Sequence, residues 1–214
     1  MEKQVIVKCD HEPGEFISRI FLREKKDGSN RVILNLKQLN EHIADHHFKM
    51  ETLDTAVNLM ESWAFAASLD LKDAYYSVPI HDSHTKYLKF MFNGEFYKFM
   101  ALPNGLKSGP RIFTKLMKVA FSEMRKQGHL PALYLDDLYL QGPSLEACRI
   151  NIRTTAQWLM RLGFVIHPDK SVLLPTKCIS YVGFILNLQD MEVSLPHEKA
   201  TNILTTCTQL MGQP

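Results

Sequence analysis

Residues 132–140 read Ala-Leu-Tyr-Leu-Asp-Asp-Leu-Tyr-Leu, with two adjacent acids inside an apolar run of strand-forming residues. The apolar alternation breaks at Asp136 and Asp137 and resumes after them, which predicts a strand, a tight turn and a second strand. Two acids in a hairpin turn are common, because short polar side chains tolerate turn geometry. Whether this pair has a function depends on which other residues lie beside it.

A second acid-bearing stretch lies upstream, where residues 66–80 read AASLDLKDAYYSVPI. We predict a strand that ends at Asp70, and an acid at the end of a buried strand is unfavourable unless it is paired or bound to metal. If this strand lies beside the acidic hairpin, Asp70 meets Asp136 and Asp137. Three carboxylates at one point repel one another, so a divalent cation is their natural partner. Two such cations suit phosphoryl transfer.

Composition sets broad limits on the class of protein. The chain has 214 residues and 45% hydrophobic content, enough for a real core. Its net charge of +2 neither requires nor excludes nucleic acid, because the local distribution of charge matters more. Four widely spaced cysteines without a CxxC pair fit reduced thiols. With no signal-peptide pattern or membrane-length apolar run, we expect a soluble intracellular protein, cytoplasmic or nuclear, or a piece of one.

The remaining elements are predicted from periodicity and turn signals. Alternation predicts two strands over 16–40, joined at an Asp-Gly turn, with Lys37 on the returning strand. The cations Lys25, Lys26 and Arg31 form either a solvated basic hairpin or a finger that reaches a triphosphate. We also predict a hairpin over 87–101, helices over 52–63, from 110 onward, over 144–162 and over 196–211, and one strand over 179–186 with a bulge or close contact at Gly183.

Several motifs occur in the order and spacing found in reverse transcriptases, so that residues 16–190 resemble that family. The motifs are LDLKDAYYSVPI, LPNGLKSGPRIF, YLDD, LGFVIHPDKS and YVGFIL, and KKDGSNRVILNLKQLN resembles the fingers hairpin. These motif sequences look most like those of enzymes from DIRS-like retrotransposons, the kind that encode a tyrosine recombinase. Viral RNA-dependent RNA polymerases are disfavoured, because the turn reads YLDD and not Gly-Asp-Asp.

The resemblance implies an α+β fold with the fingers and palm of a right-hand polymerase. The palm would be a ferredoxin-like antiparallel sheet packed on helices, with the thumb missing or only begun. We expect part of the fingers in 1–67, with its basic hairpin at 21–40, and the palm in 68–195, where 80–105 belong partly to the fingers. Residues 196–214 would begin a thumb or connection and look truncated.

The implied activity is that of an RNA-directed DNA polymerase, a nucleotidyltransferase that adds deoxynucleotides to a primer 3′-OH by two-metal phosphoryl transfer. Its partners would be an RNA or DNA template with a primer and deoxynucleoside triphosphates, with no membrane. Its cofactors would be two Mg²⁺ ions, with Mn²⁺ as a substitute. The alternative is a catalytically silent fragment or domesticated remnant that binds nucleic acid or a protein partner.

Residue roles follow from the same resemblance. Asp70 and Asp136 would bridge both Mg²⁺ ions, Asp137 would complete the acidic set, the Leu71 carbonyl would add a ligand, and Lys170 would donate a proton to the departing pyrophosphate. Tyr75 falls where the family places a sugar gate that rejects a 2′-hydroxyl. The incoming nucleotide would contact Lys25 or Lys26, Arg31, Asp73, Ala74, Tyr75, Asn104 and Gly105, and the primer end would be held by Tyr181, Val182, Gly183 and Phe184.

The sequence also departs from the family pattern at three positions. Asn104 stands where retroviral enzymes carry Gln and many retrotransposons carry Phe, which would weaken nucleotide contact there. Asn35 and Lys37 replace the Asp and Arg of the fingers pattern VDFR, which would alter contacts to the template.

Overall fold

The computed structural model describes residues 4–24, 28, 30–129 and 131–211 of the chain. Its strands are β1 (Ile6–Lys8), β2 (Ile17–Glu24), β3 (Asn30–Asn35), β4 (Phe65–Lys72), β5 (Lys89–Phe92), β6 (Glu95–Phe99), β7 (Ala132–Tyr134), β8 (Asp137–Gly142), β9 (Val165–Ile166), β10 (Val172–Thr176), β11 (Cys178–Tyr181), β12 (Phe184–Asn187) and β13 (Glu192–Ser194). Its helices are α1 (Lys37–Glu41), α2 (Leu53–Leu59), α3 (Asp82–Thr85), α4 (Gly109–Lys126), α5 (Leu145–Arg161) and α6 (His197–Met211), and a 3₁₀ turn spans Ala74–Ser77.

The chain divides into two compact units, each built from two separate stretches. Unit 1 comprises Met1–Lys49 and Asp73–Val119, and unit 2 comprises Met50–Lys72 and Ala120–Pro214. The predicted assignment of 1–67, 68–195 and 196–214 to fingers, palm and thumb stays a prediction. No helix in the described part of the chain is long and apolar enough to cross a membrane.

Unit 1 contains a five-stranded sheet in the order β1-β6-β5-β2-β3. β2 pairs antiparallel with β3 and parallel with β5. The predicted hairpin around Asn93 and Gly94 is confirmed, with φ values of 51° and 78° at these residues. Positive φ at both central positions defines a type I′ turn, whose twist matches that of the strands it joins.

Unit 2 contains a four-stranded sheet in the order β10-β4-β8-β7, with β9 paired to the end of β4. β11, β12 and β13 form a separate antiparallel sheet. The core of the larger sheet is apolar, and Leu69, Leu138 and Leu140 are fully buried. Helix α5 packs against β4 and β8, with its N-cap at Ser144 as predicted. The predicted helices of unit 2 are therefore confirmed, although α2 ends earlier than expected, at Leu59.

Two predicted strand boundaries were wrong. Lys37 does not lie on the returning strand, because it begins α1 and its N–H donates to Asn35 Oδ1 at 3.2 Å where the strand ends. The strand that carries Asp70 does not end there. It continues to Lys72 because Leu71 and Lys72 pair with β9.

The single strand predicted over 179–186 was also wrong. The segment is a hairpin of β11 and β12, in which Tyr181 pairs with Phe184. Val182 and Gly183 form the turn with φ values of 48° and 76°, again a type I′ geometry. Val182 hid this turn in the sequence, because a β-branched residue with positive φ is a rare exception.

Candidate active site

The three acids singled out in the sequence lie at one end of the unit 2 sheet. β4 and β8 are antiparallel, and their register places Asp70 directly opposite Asp137. Residues opposite each other in such a pair have Cα atoms about 4.5–5.5 Å apart. One position further, the Leu71 N–H donates to the Asp136 carbonyl at 2.9 Å. The structure therefore brings the backbones of Asp70, Asp136 and Asp137 together at one end of the sheet.

The turn that carries these acids has unusual backbone geometry. Tyr134 pairs with Asp137, so Leu135 and Asp136 are its two central residues. Leu135 has a φ of 56°, the positive value that a type II′ turn requires at its first central position and that glycine normally supplies. Such a sparsely populated backbone conformation costs an L-residue about 1–3 kcal/mol. The turn leaves Asp136 exposed and Asp137 half-buried at the start of β8.

The electrostatic environment of Asp137 reflects this crowding. Burial, followed by the charges of Asp136 and Asp70, raises the pKa of Asp137 to about 6, and Lys170 opposes the change. The Lys170 Nζ atom lies 4.0 Å from Asp70 Oδ1, and its side chain is 61% exposed. The acids therefore repel one another, and one exposed lysine partly compensates them.

This donor set fits a divalent cation. Carboxylate and backbone carbonyl oxygens are the hard ligands that Mg²⁺ and Mn²⁺ prefer. Part of the rise in the pKa of Asp137 comes from the charges of Asp136 and Asp70, and a bound cation would relieve that repulsion. Among the described residues, there is no group of three or more His, Cys, Asp or Glu side chains arranged to hold a metal ion. The case for a cation therefore rests on the convergence and chemistry of the acids.

A ring of hydrogen bonds holds the Lys170 segment against the acid-bearing strand. The Asp70 N–H donates to Ser171 Oγ at 3.0 Å, and that hydroxyl donates to the His167 carbonyl at 2.7 Å. The His167 N–H in turn donates to the Asp70 carbonyl at 2.8 Å. Sequence reasoning missed Ser171 and His167, and their position beside Lys170 in the chain was the only signal available.

The segment predicted to hold the primer end lies in the same unit. Tyr181 is only 3% exposed, and its hydroxyl lies 3.3 Å from the backbone oxygens of Ala132 and Asp137. Val182 and Phe184 are half-buried and Gly183 is exposed. The Tyr181 side chain therefore faces the protein core, and the turn residues after it present the accessible surface.

The residues predicted to bind the nucleotide belong to unit 1. Asp73 has a φ of 50° and precedes the 3₁₀ turn that contains Ala74 and Tyr75. The Tyr75 ring packs on Phe113, with ring centroids 5.1 Å apart. This contact restricts the orientation of the ring.

The loop that follows β6 in unit 1 carries the other predicted nucleotide contacts. Asn104 is exposed, and Gly105 has a φ of 90° and accepts a hydrogen bond from Asn40 Nδ2 at 2.9 Å. Lys25 and Lys26 lie outside the described residues. The Arg31 backbone pairs with Arg23 in the β2–β3 hairpin, and the Arg31 side chain lies outside the description.

Comparison with known families identifies the chain. The profile of the family described as reverse transcriptase (RNA-dependent DNA polymerase) matches residues 23–186. This match covers well over half of the sequence, and the chain belongs to that family. The family membership predicted from the motifs is therefore confirmed.

The chain is similar to segments of long viral and transposon polyproteins. It is 25% identical over 184 residues to Polyprotein P3 of Commelina yellow mottle virus, covering 86% of this chain and 9% of that protein. It is 26% identical over 191 residues to the Gag-Pol polyprotein of gibbon ape leukemia virus, covering 83% and 11%. The retrovirus-related Pol polyprotein from transposon 412 of Drosophila melanogaster is 24% identical over 163 residues, covering 73% and 13%. The chain thus spans about a tenth of these relatives.

Solved structures of the foamy viral protease-reverse transcriptase share the fold. One, in complex with double-stranded DNA, has a TM-score of 0.82 at 19% identity and covers 95% of this chain and 34% of that chain. Another, in complex with an RNA/DNA hybrid, has a TM-score of 0.78 at 19% identity and covers 94% and 26%. The predicted α+β fold of polymerase fingers and palm is confirmed by this likeness.

Proposed function

We propose that this chain is an RNA-directed DNA polymerase that adds deoxynucleotides to the 3′-OH of a primer. The observation that carries the proposal is the register of β4 and β8, in which Asp70 lies opposite Asp137 and the Asp136 carbonyl accepts the Leu71 N–H. Family membership supports it. The chain spans about a tenth of the polyproteins that it resembles, and the proposed activity is that of this segment alone.

The cofactors are two Mg²⁺ ions, with Mn²⁺ as a substitute. Asp70 and Asp136 would hold both ions, and Asp137 and the Leu71 carbonyl would complete the ligand set. The chemistry that such ions supply is a lower pKa for the primer hydroxyl and stabilisation of the charge on the leaving pyrophosphate. The raised pKa of Asp137 supports this assignment, because the charges of Asp136 and Asp70 add to the effect of burial, and a bound cation would favour the ionised carboxylate.

Lys170 serves as the proton donor to the departing pyrophosphate. Its side chain is largely exposed and lies 4.0 Å from Asp70 Oδ1, so the ammonium group stays accessible to a reacting group beside the acids. The hydrogen bonds of Ser171 and His167 to Asp70 hold the lysine-bearing segment in place. Fixed placement is what general acid catalysis requires of its donor.

Tyr75 selects deoxynucleotides by steric exclusion of a 2′-hydroxyl. The support is its packing against Phe113, because a ring held by its neighbours cannot turn aside for a bulkier sugar. The other groups proposed to bind the nucleotide are Lys25 or Lys26, Arg31, Asp73, Ala74, Asn104 and Gly105.

The polymer substrate is a primer paired with an RNA or DNA template. Foamy virus enzymes of the same fold are known in complex with double-stranded DNA and with an RNA/DNA hybrid, which supports both template types. Val182, Gly183 and Phe184 would lie against the primer end. Relatives among transposon and viral polyproteins support an origin in a retrotransposon, for which the motif style favours the DIRS-like kind.

Primer extension tests the proposal directly. The 214-residue chain is incubated with a poly(rA)·oligo(dT) duplex, deoxythymidine triphosphate and Mg²⁺ or Mn²⁺, beside an Asp136→Asn/Asp137→Asn variant. We expect extension by the parent chain and none by the variant. Equal extension by both proteins, or a parent chain that binds the duplex without extending it, contradicts the proposal.

A further inference from the structure

Tyr181 connects two hairpins that are separate in the sequence. It is the last residue of β11, directly before the Val182–Gly183 turn, and its side chain is 3% exposed. Its hydroxyl lies 3.3 Å from the Ala132 carbonyl oxygen and 3.3 Å from the Asp137 carbonyl oxygen. These two oxygens belong to the two strands of the acidic hairpin, β7 and β8.

The Tyr181 hydroxyl remains a hydrogen-bond donor throughout the physiological pH range. A tyrosine phenol keeps its proton over this range even when it is exposed to water. The hydroxyl has one proton and two carbonyl acceptors, so its bond is shared between β7 and β8. A buried donor that bonds to both strands favours keeping the two hairpins at this separation.

The turn after Tyr181 is also held from α6. The Lys199 Nζ atom donates to the Gly183 carbonyl at 3.3 Å and lies 5.4 Å from the centre of the Phe184 ring. The turn is therefore held on both sides. Before it, the Tyr181 hydroxyl bonds to the acidic hairpin, and after it, Lys199 contacts Gly183 and Phe184.

We propose that Tyr181 is a positioning residue, whose hydroxyl sets the placement of the Val182–Gly183 turn against Asp137. This inference rests on the proposed function, in which the turn holds the primer end and Asp137 belongs to the acidic set. The reacting 3′-OH and the acids must be placed to within a fraction of an ångström, and a misplacement of about 1 Å lowers rates by about a hundredfold. Tyr181 acts on the reaction through backbone placement and does not contact the primer.

Tyr139 provides a matched control in the same core. It is fully buried, and its ring centroid lies 5.6 Å from that of Tyr181. Its hydroxyl donates to Gln141 Oε1 at 2.9 Å, within its own strand β8. Tyr139→Phe therefore removes a buried tyrosine hydroxyl and its hydrogen bond without breaking the link between the two hairpins.

Hydrogen exchange tests the link independently of catalysis. We expect amides of residues 132–138 to exchange about fivefold faster in Tyr181→Phe than in the parent chain, the change that corresponds to the loss of one hydrogen bond of ordinary strength. We expect no comparable change over these residues in Tyr139→Phe. Equal protection of residues 132–138 in the two variants overturns the proposal, whether or not the chain extends a primer.

Single-turnover incorporation tests the consequence for the reaction. At saturating deoxynucleotide, we expect Tyr181→Phe to incorporate about tenfold more slowly than Tyr139→Phe, with primer–template dissociation constants that agree within about twofold. Equal incorporation rates in the two variants overturn the positioning role of Tyr181. If the parent chain is active, that result leaves the proposed polymerase function intact. A parent chain that does not extend the primer instead counts against the polymerase function, and the exchange measurement still decides the link.

Discussion

Asp70 and Asp137 face each other directly across β4 and β8, so two carboxylates occupy paired positions on neighbouring strands. Like charges in such positions are unfavourable, and a fold that keeps them needs a compensating partner. Lys170 supplies part of the compensation at 4.0 Å from Asp70. The remainder is what the proposed cations would provide, and this unbalanced charge leads to predictions for stability and for catalysis.

The first prediction concerns stability in the absence of divalent cations. The pKa of Asp137 is raised from 3.8 to about 6, so between these pH values the folded state binds more protons than the unfolded state. Its contribution to the free energy of unfolding therefore falls as pH rises from about 4 to about 6, and is then level. We expect Asp137→Asn to lack this fall and to be more stable than the parent chain at pH 7 by on the order of 1 kcal/mol, after allowance for solvent screening.

Urea unfolding in the presence of EDTA between pH 4 and pH 7 measures this difference. Asp190→Asn is the control, because Asp190 is exposed and its carboxylate accepts a local hydrogen bond from Asn187. The interpretation of Asp137 is wrong if the difference between parent and Asp137→Asn is the same at every pH.

The second prediction concerns proton donation by Lys170. We expect Lys170→Gln to lower the single-turnover incorporation rate about a hundredfold. Stability should change little, because the lysine side chain is 61% exposed. Lys177→Gln is the control, because it removes the charge of another lysine in the same unit, whose ammonium group lies over the Trp63 ring. An incorporation rate in Lys170→Gln equal to that of Lys177→Gln would assign the proton donor elsewhere.

The third prediction concerns sugar selection in unit 1. We expect Tyr75→Val to reduce the preference for deoxynucleotides over ribonucleotides about a hundredfold, because the smaller side chain leaves room for a 2′-hydroxyl. The measurement compares kcat/KM for the two nucleotides. Tyr76→Val serves as the control, because Tyr76 instead faces Phe99, at 6.4 Å between ring centroids. The gate is refuted if both variants discriminate as the parent chain does.

The fourth prediction concerns a buried lysine in unit 1. Lys89 is fully buried, and its Nζ atom contacts the Asp10 carbonyl at 2.7 Å, Glu15 Oε2 at 2.7 Å and Glu12 Oε1 at 2.9 Å. Lys89→Met keeps the side-chain volume but leaves the largely buried Glu15 without its cation. We expect this variant to be destabilised by about 2 kcal/mol in thermal or urea unfolding.

Lys8→Met is the matched control for the buried lysine. Lys8 pairs with Glu95 on the surface, where both side chains are about half exposed or more. Exposed pairs contribute little to stability, so this variant should unfold close to the parent chain. Similar destabilisation by the two substitutions would show that burial of Lys89 has no special importance.

The sequence was sufficient to predict the acidic hairpin and the strand that pairs with it. Apolar alternation interrupted by acids can be recognised in a single sequence, because one face of each strand must be buried. The turn was only partly correct, since Asp136 lies in it whereas Asp137 begins β8. The backbone conformation of Leu135 could not be predicted, because leucine rarely adopts a positive φ.

Features that depend on distant pairing were not predictable from the sequence. β1 has three residues, and its partner β6 is far along the chain, so local periodicity carries little signal. The hairpin at Val182 and Gly183 was missed because an apolar run without Asn-Gly resembles one strand. The hydroxyl of Tyr181 finds its acceptors only through tertiary packing, which no spacing reveals.

The central claim is that Asp70 joins the acidic hairpin in holding cations. Electron paramagnetic resonance of Mn²⁺ binding to the 214-residue chain tests this claim most directly, with Asp70→Asn compared against Asp190→Asn. We expect Mn²⁺ affinity to be at least about tenfold weaker in Asp70→Asn and unchanged in Asp190→Asn, because only the first substitution removes a converging carboxylate. If Asp70→Asn binds Mn²⁺ as tightly as the parent chain, the three carboxylates do not form one site.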